Sequence, residues 1–265
     1  MPARAGNASQ GCSRELGLCE PGRERDPDGG VGVSRDSGRR GGPGAGSGYG
    51  RSNRQRKIRF SRREIRDLLV AWVALGVAFA VFFGHLETNV RPISQWILTE
   101  TDAFVALLIV SLLTAGIGFL LHELAHKVMA IRYGQVAAFK ASYGMLVMAV
   151  LVAFAGFIFA APGAVYHRGR ITERQGGLIA LAGPVTNLLL AFPFFLVYVM
   201  AFGIESQLLY QIGRYGVAIN LLLAGFNMLP FGPLDGATIK KWDGQVWALV
   251  AIPSILLGIL SIFII

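Results

Sequence analysis

The chain has little of what braces a secreted or soluble fold. Its two cysteines, Cys12 and Cys19, precede every apolar segment, so disulfides do not hold the hydrophobic body together. Six residues separate them and no histidine accompanies them, which falls short of the ligand pairs of a zinc ribbon. Charge is also scarce: 15% of the residues are Asp, Glu, Lys or Arg against 53% hydrophobic ones, too few to cover a domain that faces water on all sides. A cleavable signal peptide is not expected, because the first apolar run begins only near Asp67 and is long enough to span a bilayer. Histidine occurs four times in 265 positions, and two of the four lie one helical turn apart.

The net charge of +9 is unevenly placed. The first 66 residues carry 15 of the 25 Lys and Arg and 7 of the 16 Asp and Glu, so the remainder is close to neutral. Residues 1–60 read as a disordered basic tail rich in Gly and Arg, with too little apolar surface to offset its chain entropy. Nucleic acid is not an expected partner, because the positive charge belongs to this tail. Contact of the tail with anionic lipid or nucleic acid would show as salt-sensitive binding lost on deletion of residues 1–56.

Residues 61–265 read as an integral membrane domain, and the fold class expected is an all-α polytopic membrane protein with about five to six transmembrane helices. The apolar runs are 67–86, 104–131, 177–202, 208–229 and 246–265, with 143–161 as a sixth that either crosses or returns. Arg54, Arg56, Lys57, Arg59, Arg62, Arg63 and Arg66 abut the first run, which places the N-terminus in the cytoplasm. The loop 87–102, with Arg91 against Glu87, Glu100 and Asp102, then lies outside. The second run ends near Lys127, Arg132 and Lys140, on the cytoplasmic side of the cell membrane.

Within that second run stands "GFLLHELAHKVMA", residues 118–130. An ionisable group at the centre of a spanning helix costs on the order of 3 kcal/mol to insert. His122, Glu123 and His126 form H-E-x-x-H, whose two imidazoles point the same way and can share a metal, while the glutamate is placed to take a proton from activated water. The bland alternative is a chance match of two hydrogen-bonded core histidines, which the cost of unpaired polar groups in lipid disfavours. A catalytic zinc needs a third protein ligand. Asp235, in "FNMLPFGPLDGATIKK" (226–241), ends a span after Pro230, Gly232 and Pro233 and precedes Lys240 and Lys241. Alone, Asp235-Gly236 reads as a helix-exit turn; beside H-E-x-x-H at the same membrane depth, Asp235 is the candidate ligand.

Three blocks in order, HELAH at 122–126, LAGPVTNLLLA at 181–191 and N-x-x-P-x-x-x-x-D-G at 227–236, resemble those of the site-2 proteases, the intramembrane zinc metalloproteases. The similarity covers about residues 103–241. It implies one zinc per chain held by His122, His126 and Asp235, Glu123 as general base and acid, and Asn187 as a polar residue that lines the site and helps hold substrate. It implies cleavage of a transmembrane protein or peptide segment within the lipid bilayer. Many relatives of that family insert a PDZ domain; the spacing here leaves no room for one, so a short form is expected.

The three ligands can meet only if 143–161 does not cross. A full crossing would put Arg168, Arg170 and Arg174 outside and leave Asp235 at the outer face. A re-entrant segment after the second span keeps those arginines, Lys240 and Lys241 cytoplasmic. The expectation is therefore a helix over 144–157 and an extended return over 159–167, broken by Pro162 and Gly163, whose edge could pair with a substrate strand or simply close a hairpin. Asn220 and Asn227 read as packing residues or as supports of the site, Arg214 as an interfacial side chain, and His85 and His167 as interfacial histidines. The last apolar run, with Pro253 and Gly258, offers a gate for water. Two alternatives to the protease stay open on the sequence, a catalytically inactive membrane regulator and a metal-ion transporter.

Overall fold

The computed structural model describes residues 58–88, 92–158 and 163–263. The basic tail with Cys12 and Cys19, Arg91, and Pro162 with the start of the extended return lie outside the described residues. The element order is α1 (Arg62–Thr88), α2 (Ile93–Thr99), α3 (Thr101–Ser111), a π-helical turn (Leu112–Gly116), α4 (Ile117–Arg132), β1 (Val136–Ala141), α5 (Tyr143–Phe154), β2 (Gly163–Arg168), α6 (Glu173–Ile204), α7 (Gln207–Asn227), α8 (Asp235–Trp242) and α9 (Gly244–Ile262).

Polar residues at the helix starts satisfy amides that no earlier turn can reach. The Ser61 hydroxyl accepts from the Glu64 amide at 3.1 Å. Thr172 and Gln175 form a reciprocal capping box at the head of α6, and Asp243 accepts from Gln245 and Val246 at the head of α9. Among the described residues, four helical segments are long and apolar enough to cross a membrane: Arg62–Leu86, Thr101–Arg132, Glu173–Ile204 and Gly244–Ile262. The chain is an all-α polytopic membrane protein with one small hairpin. α7 has the length, 21 residues, but carries Gln207, Gln211, Arg214 and Asn220. It packs against α6 and α9 and buries ten residues from Gly213 to Gly225, so protein rather than lipid receives Asn220. On α6 and α9, by contrast, Leu189, Phe192, Leu249 and Leu260 are exposed, as lipid-facing side chains are.

The run that begins at 143 holds a helix, Tyr143–Phe154, shorter than a spanning one. β1 and β2 pair antiparallel, with Ala141 opposite Gly163, so the chain that leaves β1 returns to its side. α5 has 12 residues, about 18 Å of helix against roughly 30 Å of hydrocarbon. The expected helix 144–157 is the shorter α5, which ends at Phe154, and the described part of the return 159–167 is β2 from Gly163 onward. β1 is an addition: its buried residues alternate, Ala137, Phe139 and Ala141 facing inward, as a half-covered strand requires.

The outer edge of β1 is covered by side chains. The Phe139 amide donates to Glu64 Oε1 at 3.1 Å and the Ala141 amide to Asp67 Oδ2 at 3.3 Å, and Asp67 also accepts the Tyr143 hydroxyl at 2.7 Å. Glu64 and Asp67 are three residues apart on α1, hence on one face, and they do for β1 what a third strand would. Because Phe139 and Ala141 turn their amides to α1, antiparallel alternation turns the backbone groups of the opposed Val165 and Gly163, and of His167, away from β1. Among the described residues, the edge of β2 is the free one.

Candidate metal centre

α4 is a helix because its 16 residues carry a buried stripe at helical spacing: Phe119, His122, Glu123, His126, Lys127 and Ala130. Four of the six are ionisable and stand where leucines would otherwise pack. The π-helical turn precedes this helix, and Trp72 Nε1 donates to the Leu112 carbonyl there at 2.9 Å. The wider turn changes the angular phase of α4 relative to α3. On α6, Gly183 leaves room for the rings: a Cβ there would lie 2.5 Å from His122 Nε2 and from His126 Nε2. Asp235 opens α8, whose first turn packs so tightly that a Cβ at Gly236 would collide with the Met228 carbonyl.

The structure brings His122, His126 and Asp235 together, with one ligand atom of each within 4.8 Å of the others. The Nε2 atoms of the two histidines are 3.0 Å apart, and Asp235 Oδ2 is 3.3 Å from each. The far sides of the rings are already committed. His122 Nδ1 lies 2.5 Å from Asn187 Oδ1 and His126 Nδ1 lies 2.8 Å from the Ile179 carbonyl. The Asn187 amide is oriented by its other end, where Nδ2 donates to the Gly118 carbonyl at 3.3 Å and to Asn220 Oδ1 at 2.9 Å. Both ring partners are therefore acceptors, Nδ1 carries the proton on each neutral ring, and both Nε2 lone pairs face the same point.

Two lone pairs 3.0 Å apart beside a carboxylate oxygen repel unless a cation lies among them. Asp235 Oδ2 is buried and accepts no hydrogen bond of good geometry. Ligands at 2.0–2.2 Å from a tetrahedral zinc are separated by about 3.3 to 3.5 Å, close to the spacings here, and an N, N, O donor set suits zinc. The residues fit the ion.

Glu123 is 7% exposed, and its Oε2 has no hydrogen-bond partner among the described residues. It lines a cavity of about 420 Å3 shared with His126, Asp235, Thr238 and the β2 residues Ala164 and His167. Asn187, by contrast, is fully buried with both amide atoms engaged. The amide that does line the cavity is Asn227, which the sequence placed as a packing residue or a support. His167 also reaches the cavity, although nothing in its spacing marked it; its signal was membership of an extended return beside the motif. His85 and Arg214 take no part in the site, and Arg214 lies over the rings of Tyr210 and Tyr215 at 5.9 and 5.5 Å.

Comparison with known proteins gives the same direction. The chain is 41% identical over 200 residues to MJ0611 of Methanocaldococcus jannaschii, a protein provisionally named a zinc metalloprotease, and the match covers 75% of this chain and 94% of that one. It is 37% identical over 145 residues to YwhC of Bacillus subtilis, covering 48% of this chain and 65% of the relative. It is 31% identical over 123 residues to Rip3 of Mycobacterium tuberculosis, covering 46% and 28%. Both carry the same provisional name. No protein-family model and no solved structure matches the chain. The likeness to MJ0611 runs through nearly that whole protein, and the chain accordingly belongs to the zinc metalloprotease family these relatives represent.

Proposed function

We propose that the protein is an intramembrane metalloprotease of the site-2 type, hydrolysing peptide bonds in membrane-embedded segments of other proteins. The observation that carries this reading is the pair of inward-facing Nε2 lone pairs with Asp235 beside them, built on a helix long and apolar enough to span. His122, His126 and Asp235 would hold one zinc ion. Bound there, zinc supplies Lewis-acid chemistry, acidifying a water and polarising the substrate carbonyl.

The chain's own residues do the rest. Glu123 Oε2, with no other partner, accepts a proton from the attacking water as its oxygen bonds to the carbonyl carbon. The same carboxyl then returns that proton to the departing nitrogen as the C–N bond breaks. Asn187 is a positioning residue: its Oδ1 fixes the ring and tautomer of His122, as partners of metal-bound histidines do, and Asn227 is left to meet substrate. Arg62 and Arg63 open α1, Arg132 ends α4, and Arg170 and Arg174 flank the start of α6, with α4 packed against both α1 and α6; Lys241 near the end of α8 lies 3.7 Å from Glu173. Positive-inside bias makes that end cytoplasmic, with the N-terminus and the site on the same side of the cell membrane.

The free edge of β2 offers the Val165 and His167 amides to an extended peptide beside Glu123. Strand addition there would unwind a helical substrate and expose its carbonyl. His167→Pro removes one such donor without touching the ladder to β1 and is expected to lower kcat/KM on a transmembrane peptide; unchanged cleavage would remove strand addition from the account.

The decisive test compares purified wild type with Glu123→Gln. Wild type is expected to carry one zinc per chain and to cut a single-span peptide. The variant is expected to keep its zinc and lose about 10²- to 10⁴-fold in kcat. Cleavage that survives the substitution, or that persists after complete zinc removal, would overturn the reading.

A further inference from the structure

Glu123 borders a second cavity that the chemistry above does not use. It is a cleft of about 140 Å3 between Leu68 of α1, Leu120 and Leu124 of α4, and Phe139 and Val165 of the two strands. Its accessible lining is almost wholly apolar, because the two other charged residues on its wall, Glu64 and Lys127, are paired at 2.6 Å. The Phe60 ring borders it as well, 3.7 Å from the Lys127 ammonium.

We propose that this cleft is a specificity subsite that receives one leucine- to phenylalanine-sized side chain of the peptide substrate, next to the bond being cut. The inference rests on the protease reading above and deepens it. Three observations select a substrate side chain as the occupant. The cleft and the metal cavity share Glu123 and Val165, so whatever lies at the reacting carboxylate also lies at the mouth of the cleft. The inward residues Ala137, Phe139 and Ala141 define the buried face of the hairpin, and Val165 packs against the same cluster. A peptide added along the free edge of β2 sets every second side chain on that face. Size agrees too, since apolar cavities of about 150 Å3 take up benzene. A smaller side chain would leave the cleft partly empty, and a charged one would meet Leu68, Leu120 and Leu124 with nothing to pair it.

The test uses the full chain with Cys12 and Cys19 replaced by serine, and a single-span peptide whose residues around the cut bond are changed one at a time to Ala, Leu or Phe. Wild type is expected to prefer Leu or Phe over Ala by about ten-fold or more in kcat/KM at one position flanking the cut. Leu68→Trp, which fills the cleft from α1, is expected to abolish or reverse that preference at that position alone. Leu249→Trp, on the exposed outer side of α9, should leave it as it is. A preference that Leu68→Trp does not move overturns the subsite.

A second measurement needs no turnover. In a Glu123→Gln background, Leu68→Cys should form a disulfide on mild oxidation with a peptide cysteine at that same position and at no other. Crosslinks spread along the peptide, or none, as a lipid acyl chain in the cleft would give, overturn the subsite even if wild type cuts. A position-specific crosslink to a peptide that wild type never cuts upholds the subsite and defeats the protease reading instead.

Discussion

His126 and Lys127 are neighbours on α4, yet the buried polar clusters they belong to are built in opposite ways. Around Lys127 every charge is answered: Nζ lies 2.6 Å from Glu64 Oε1 and donates to the Arg59 carbonyl at 2.7 Å, and Glu64 takes the Phe139 amide besides. Around His126 only the outer ring nitrogens are answered, by the Ile179 carbonyl and Asn187 Oδ1, and among the described residues the atoms that face inward are not. Two Nε2 lone pairs face each other, and Asp235 Oδ2 and Glu123 Oε2 are buried without partners. Burying a charge costs several kcal/mol unless neighbours offset it. The first cluster offsets that cost locally and so serves the fold, tying α1, α4 and β1 together. The second cluster carries the cost uncompensated until an outside ligand arrives, which is the mark of a working site.

The largest break in this comparison comes from closing the open cluster. Gly183→Ala is expected to reduce zinc from one per chain to almost none, because the new Cβ would stand 2.5 Å from both Nε2 atoms. Metal analysis and circular dichroism together check this: helix content should hold while zinc is lost, and a fully loaded variant would show that the rings have room to move.

Opening the closed cluster has a smaller and different effect. Lys127→Met leaves Glu64 buried and unpaired and should cost about 3 to 5 kcal/mol of stability. The double variant Glu64→Gln with Lys127→Met should recover part of it. Denaturant titration in detergent reads the stability, and zinc content should stay at one per chain in both. Loss of zinc without loss of stability would erase the distinction between the clusters.

The mildest change lies between the two. Asn187→Leu removes the acceptor behind His122 and is expected to weaken zinc binding about 10- to 100-fold, read by competition with a chelator. An unchanged affinity would mean that packing alone holds the ring.

Much of this was legible in the sequence, for physical reasons that differ residue by residue. Ionisable groups in an apolar run stand out because lipid penalises them, so His122, Glu123 and His126 were visible at once. Asp235 was recoverable because breakers and lysines marked its depth. Strand β1 was not: a six-residue segment at a helix end, VAAFKA, is too short for its alternation to outweigh the apolar runs around it. Asn187 was legible as important, but its bonds to His122, Gly118 and Asn220 were not, since spacing shows that an amide is buried but not what lies behind it.

The sequence alone determined which chemistry could exist here, because lipid admits so few ionisable groups that their positions are nearly a list of functions. Only the tertiary structure decided which of those groups answer one another. The bond from His122 to Asn187 joins residues 65 positions apart, and the Glu64 carboxylate meets a β1 amide 75 positions away. Such pairings are set by how helices pack, and packing across that distance leaves no periodic trace along the chain.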